Sequence, residues 1–168
     1  MKNFIVVLLT VFLASCAVDS QHPDFEKHVE LGKNFFKLHG EEKFDEMKDL
    51  LSDDLSWTSP AYGEGLIDKE TQLGYIKMYQ DNYENVMFTA NYWLPGVDTL
   101  SLKNDGSVRV YGTWSGVHSA TGNEFSLGSY HTMAFDADGK ISGGGDWFDL
   151  TGFIQQSQKV SEEEEVME

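Results

Sequence analysis

Glu124-Phe125-Ser126-Leu127-Gly128-Ser129-Tyr130-His131-Thr132-Met133-Ala134-Phe135 is the stretch on which the fold turns. In an extended chain alternate side chains point to opposite faces. Phe125, Leu127, Ser129, His131, Met133 and Phe135 therefore share one side, and Glu124, Ser126, Gly128, Tyr130, Thr132 and Ala134 the other. The first side is the apolar one, which places His131 among hydrophobic neighbours. The stretch before it sorts the same way: Val108, Val110, Gly112, Trp114, Gly116 and His118 against Arg109, Tyr111, Thr113 and Ser115. His118 ends the apolar set beside the hairpin. From Val86, the inner set is expected to be Val86, Phe88, Ala90, Tyr92 and Leu94, which brings a phenol inside as well.

Turn signals separate these runs at Asn104-Asp105-Gly106, Thr121-Gly122-Asn123 and Asp136-Ala137-Asp138-Gly139, the pattern of an antiparallel meander. After the last turn Ile141, Gly143, Gly145, Trp147 and Asp149 have one parity and Asp146, Phe148 and Leu150 the other. The triple glycine at 143–145 leaves two readings open. Either a bulge resets the parity and turns Asp146 inward, or a ligand or helix approaches the backbone closely.

Upstream of the meander the spacing is helical. Phe25, Val29, Phe36 and Leu38 recur along a first helix that Gly40 stops, and Phe44, Met47, Leu50 and Leu51 share a face of a second. A brief extended segment over 55–58 ends at Pro60, and the loop Tyr62-Gly63-Glu64-Gly65 follows. Asp68 is the expected N-cap of a third helix carrying Leu73, Ile76 and Tyr79, and Asp149 that of a last short helix over 150–156. Helices first and hairpin-linked strands second imply an α+β domain whose helices cover one face of a curved sheet.

The one cysteine, Cys16, follows Leu13-Ala14-Ser15 at the end of an apolar run over 4–13. That run is about half the ~20 residues a spanning helix needs, so a signal peptide over 1–15 is expected. Leu13-Ala14-Ser15-Cys16 resembles the lipobox of bacterial lipoproteins, which implies cleavage before Cys16 and lipidation on it. An ordinary secretory signal with an incidental cysteine is the alternative. The resemblance places the protein in the bacterial cell envelope, lipid-anchored; Ala17 after the cysteine favours the outer membrane. A tether over 16–23, one domain over 24–157 and a solvated, disordered acidic tail over 158–168 complete the chain. With 28 acidic against 12 basic residues and a net charge of −16, the chain repels phosphate backbones and anionic headgroups. Nucleic acid is excluded as a partner, and membrane association is expected through the acyl chains alone.

The helices before a long meander, Leu51-Ser52-Asp53-Asp54-Leu55-Ser56-Trp57, Gly112-Thr113-Trp114-Ser115-Gly116-Val117-His118, Asp138-Gly139-Lys140-Ile141 and the ending Asp146-Trp147-Phe148-Asp149-Leu150-Thr151-Gly152-Phe153-Ile154-Gln155-Gln156 resemble the nuclear transport factor 2-like superfamily, most closely its SnoaL-like branch. The resemblance runs from about residue 25 to 156. It implies a cone-shaped curved antiparallel sheet packed against N-terminal helices, one deep pocket for a small organic molecule, and often a homodimer. It also implies acid/base work by an aspartate late in the meander, where Asp146 lies. Fold alone does not settle activity, because the superfamily holds cyclases, isomerases, dehydratases and epoxide hydrolases beside members that only bind or assemble.

The expected chemistry is a pair in an apolar pocket: Asp146 as acid, His131 as base and Tyr92 as an auxiliary donor. Trp57, Tyr62, Trp114, His118, Met133 and Phe148 are expected as pocket wall. The plainer alternative is that His131 and Asp146 are simply satisfied buried groups and that Trp57, Trp114 and Tyr92 are core. His118, His131 and Asp146 lack a tight ligand motif, so no metal is expected, nor any cofactor. His22, His28 and His39 fall in the tether or on helices, where solvated or packing roles are the default. Serine catalysis has no support, since no Gly-x-Ser-x-Gly elbow occurs in the domain.

Overall fold

The computed structural model describes residues 21–159. The expected signal peptide, the candidate lipidation site Cys16, most of the tether and most of the acidic tail lie outside the described residues. Within them the order is α1 (Phe25–Gly40), α2 (Phe44–Leu50), β1 (Leu51–Thr58), β2 (Leu66–Ile67), α3 (Lys69–Asn82), β3 (Tyr83–Val97), β4 (Asn104–His118), β5 (Glu124–Phe135), β6 (Ile141–Trp147) and α4 (Leu150–Ser157). The strands form one open, curved sheet in the order β2-β1-β6-β5-β4-β3. The meander β3 to β6 is antiparallel as its alternation requires, whereas β1 joins β6 in parallel. The fold is α+β, with helices against the apolar face of the sheet.

The α1 stripe Phe25, His28, Val29, Gly32, Phe35 and Phe36 recurs at three- and four-residue intervals and is buried throughout. Gly32 is needed for contact, because a Cβ there would lie 2.8 Å from the Trp93 indole on β3. His28 takes a structural part: its Nδ1 bonds the Gly106 carbonyl at 2.7 Å and its ring stacks on Phe135 at 4.2 Å. Trp57, Met47, Leu51, Val108, Val110, Met133 and Ile141 form the sealed centre of the core. Asp68 and Asp149 both cap as expected, accepting from Thr71 N and Gly152 N at 2.9 Å each. Asn104-Asp105-Gly106, expected as a turn, instead opens β4. The connection runs through 98–103, closed by Asp98 N donating to Lys103 O.

On β4 and β5 the two faces separate as the alternation predicts. Val108 pairs with Met133 and Val110 with His131 on the covered side, and Tyr111 pairs with Tyr130 on the other. β3 breaks the pattern. Ala90 pairs with Gly112 but Tyr92 pairs with Tyr111, so Asn91 is an extra residue and every later side chain changes face. Trp93 turns in against Phe36, and Tyr92 turns out, 65% exposed.

Candidate active site

Between α1, α3, α4 and the covered face of the sheet lies a cavity of about 490 Å³. Phe36, Trp57, Tyr79, Tyr83, Trp114, Phe125, Phe148 and Phe153 form much of its wall, and among the described residues no lysine or arginine reaches it. Asp146 is its one carboxylate among the described residues. A few convergent polar groups in an otherwise apolar hollow are the usual signature of a small-molecule site.

The glycine run explains how Asp146 arrives there. Phe135 pairs with Ile141 but Ala134 pairs with Gly143, so Ser142 is an extra residue and Gly144 and Asp146 face inward. The close approach also occurs, and the Trp57 side chain makes it. Gly144 has φ +153°, and a Cβ there would lie 2.1 Å from Thr132 O and 2.7 Å from the Trp57 ring. Without a side chain at 144, Trp57 lies over β6 and its Nε1 donates to Asp146 Oδ2 at 2.8 Å.

The other carboxylate oxygen meets His131, with Nδ1 and Oδ1 2.6 Å apart. On the far side of the ring, Trp114 Nε1 donates to His131 Nε2 at 3.1 Å and Ser129 Oγ lies 2.8 Å from the same nitrogen. An indole N–H can only donate, so Nε2 carries no hydrogen. The imidazole hydrogen is therefore on Nδ1 and is given to Asp146. Both oxygens of Asp146 act as acceptors, each from a neutral donor, and each keeps lone pairs for a bound molecule.

Of the other expected site residues, Trp57, Trp114 and Phe148 line the cavity. Tyr92 does not, because the extra residue at Asn91 places it on the outer face. Tyr62 sits fully exposed at the tip of its loop, where Gly63 and Gly65 take positive φ. Met133 is sealed in the core behind the cavity, and its sulfur lies against α1 at Gly32. His118 is buried away from the cavity wall, against Tyr83 at 5.2 Å, with Nδ1 2.9 Å from Thr121 Oγ1. Among the described residues no three His, Cys, Asp or Glu side chains converge as metal ligands would.

The sequence reading missed His39, which faces the cavity from the last turn of α1. Its spacing from Phe35 and Phe36, four and three residues earlier, puts it on the apolar stripe and was the available signal. Burial lowers its pKa from 6.5 to about 4, against a smaller opposing pull from Asp146. Tyr79, beside it at 6.4 Å between ring centroids, is pushed upward by burial and then by Asp146, so it stays a phenol. Glu64 accepts from Ser59 and Tyr75, two residues of the cavity wall, and these bonds hold its carboxyl below the usual range.

No family model matches the chain, and no curated protein matches it in sequence. Solved structures do match in shape. A putative isomerase from Bacillus subtilis superposes with a TM-score of 0.67 at 19% identity, covering 80% of this chain and 95% of its own. A putative polyketide cyclase from Xanthomonas campestris pv. campestris gives 0.61 at 14%, covering 80% and 99%. An NTF2-like protein of unknown function from Exiguobacterium sp. 255-15 gives 0.58 at 17%, covering 71% and 98%. With helices over one face of a curved six-stranded sheet and the hollow they enclose, the chain has the nuclear transport factor 2-like fold.

Proposed function

We propose that the cavity binds a small, largely apolar organic molecule and that Asp146 moves a proton on it in an isomerisation, cyclisation or dehydration. The observation that carries this reading is a lone carboxylate, held at both oxygens by neutral donors, in the wall of an aromatic hollow. Asp146 serves as the base and His131 as its positioning donor, the reverse of the roles expected from sequence. Nε2 of His131 is engaged by Trp114 and Ser129, whereas the free lone pairs of Asp146 can take a proton. The shape matches to a putative isomerase and a putative polyketide cyclase support the same chemistry. The test is mass spectrometry of molecules released from the purified protein, then turnover assays on them. Asp146→Asn should lower turnover by about 100-fold or more, and an unchanged rate would reject the role.

One observation favours a second reading, a non-catalytic binding or assembly module at the cell envelope. Every polar atom of the His131–Asp146 pair already has a protein partner, as in a buried network that only specifies structure. Binding of the released molecules without turnover would select it.

The lipobox at Cys16 supports lipid anchoring in a bacterial envelope, with the outer membrane as destination. Among the described residues no helix is long and apolar enough to cross a membrane. Replacing Cys16 with Ser should release the protein from the membrane fraction, and its retention there would refute lipidation. The outer sheet face supports a homodimer. Met87, Tyr92, Leu94, Tyr111 and Trp147 are exposed on it, Tyr111 stacks on Tyr130 at 4.6 Å, and Tyr130 lies 5.2 Å from Trp147. From Ser115 to Arg109, β4 and the residues paired with it on that face carry a single charge, Arg109. On a chain of net charge −16, such a face lets a second copy approach with the least repulsion.

A further inference from the structure

His39 is a polar group in the cavity wall that the chemistry above does not use. Its Nδ1 is sealed from solvent and has no hydrogen-bond partner among the described residues. Among the described residues the bonds at His39 are made by its backbone: the carbonyl accepts from Gln80 Nε2 at 3.3 Å and from Glu42 N at 3.2 Å. Aromatic contacts hold the ring, with Trp114 at 5.2 Å and Tyr79 at 6.4 Å between centroids. A buried polar group left unpaired is costly, and native proteins leave few of them, usually for a reason. A neutral imidazole offers one donor and one acceptor, and among the described residues nothing pairs with Nδ1.

We propose that His39 is a specificity-determining residue of the cavity, hydrogen-bonding an uncharged hydroxyl or carbonyl group on an otherwise apolar ligand. This rests on the reading of the cavity as a ligand site. The groups facing His39 from the packed elements are Tyr79 on α3, Trp114 on β4, His131 on β5 and Asp146 on β6. Burial keeps the imidazole neutral down to about pH 4, so it cannot pair with an anionic ligand by charge. Among the described residues no lysine or arginine in the wall compensates, and Asp146 repels carboxylates. The ligand class is therefore an uncharged, oxygen-bearing, ring-sized molecule. Carboxylic and phosphorylated molecules are rejected.

Trp57 and Trp114 in the wall provide a fluorescence readout for naphthalene, 1-naphthol and 1-naphthoate. The full-length protein should bind 1-naphthol about tenfold more tightly than naphthalene, and 1-naphthoate more weakly than either. His39→Phe, which keeps an aromatic ring in place, should bring the naphthol-to-naphthalene ratio to about one. His39→Gln, which restores a donor and an acceptor, should recover most of the preference. The wild-type ratio should hold from about pH 8 to pH 5, since His39 does not charge in that range. A ratio near one in the wild type, or a preference that survives in His39→Phe, overturns the role of His39 while leaving the cavity a ligand site. If no probe binds at all, the ligand-site reading falls and the inference with it.

Discussion

Trp114 Nε1 points at His131 Nε2 from 3.1 Å, and this one bond fixes the polarity of everything behind it. Because the indole can only give its hydrogen, the imidazole must receive at Nε2 and give at Nδ1, so Asp146 receives at Oδ1. The first prediction is the tautomer itself. Nitrogen-15 spectra of His131 should show a neutral ring protonated at Nδ1, and a ring protonated at Nε2 would refute the assignment. In Trp114→Phe the hydrogen loses this constraint, and stability should fall by about 1–3 kcal/mol as a buried bond is lost and the indole volume is only partly refilled.

Gly144 carries the second prediction. Its φ of +153° strains any L side chain, and a Cβ would collide with Thr132 O and displace the Trp57 ring. Gly144→Ala should destabilise the fold by about 3 kcal/mol or more, measured by denaturant unfolding. The same change should weaken binding in the cavity, because Trp57 can no longer reach Asp146. A variant as stable as the wild type would show that the backbone path through 143–145 is not the one described.

Folding stability should depend on pH through His39. Its pKa falls from 6.5 when unfolded to about 4 when folded, so the unfolded chain takes up the proton first as pH drops. The contribution is fully present above about pH 6.5 and is lost progressively toward pH 4, amounting to about 3 kcal/mol at most. Asp146, His131 and Tyr79 face the same ring. His39→Phe should flatten the slope of stability between about pH 6.5 and pH 4, and an unchanged slope would contradict the burial of this imidazole.

Trp114, Gly144 and His39 also mark how far the sequence could be read. Alternation on β4 and β5 gave the right face for His131 and Trp114, because those strands pair without interruption along their length. It failed at Tyr92, since one extra residue at Asn91 reverses parity and nothing in Ala90-Asn91-Tyr92 distinguishes a bulge from regular strand. The glycines at 143–145 did announce an irregularity, yet its direction depends on Trp57, a residue nearly ninety positions earlier that only the parallel β1–β6 pairing brings near. His39 was visible as a member of the α1 stripe. That it lines a hollow, while His28 on the same stripe is bonded and stacked, is decided by neighbours on other elements.

Sedimentation analysis of the soluble protein tests the homodimer. A dimer should form in the wild type and dissociate in Tyr111→Glu, which sets a carboxylate at the centre of the aromatic row against its own copy. A monomeric wild type would remove the outer face as an interface between copies.

The most direct measurement of the central claim is hydrogen exchange on the bound molecule. The compound released from the purified protein is returned to wild type and to Asp146→Asn in D2O, and its carbon-bound hydrogens are followed by NMR. Wild type should exchange one of them about 100-fold or more faster than Asp146→Asn, with both proteins binding the compound. Equal rates in the two proteins, or none in either, would contradict a proton-transferring carboxylate at residue 146.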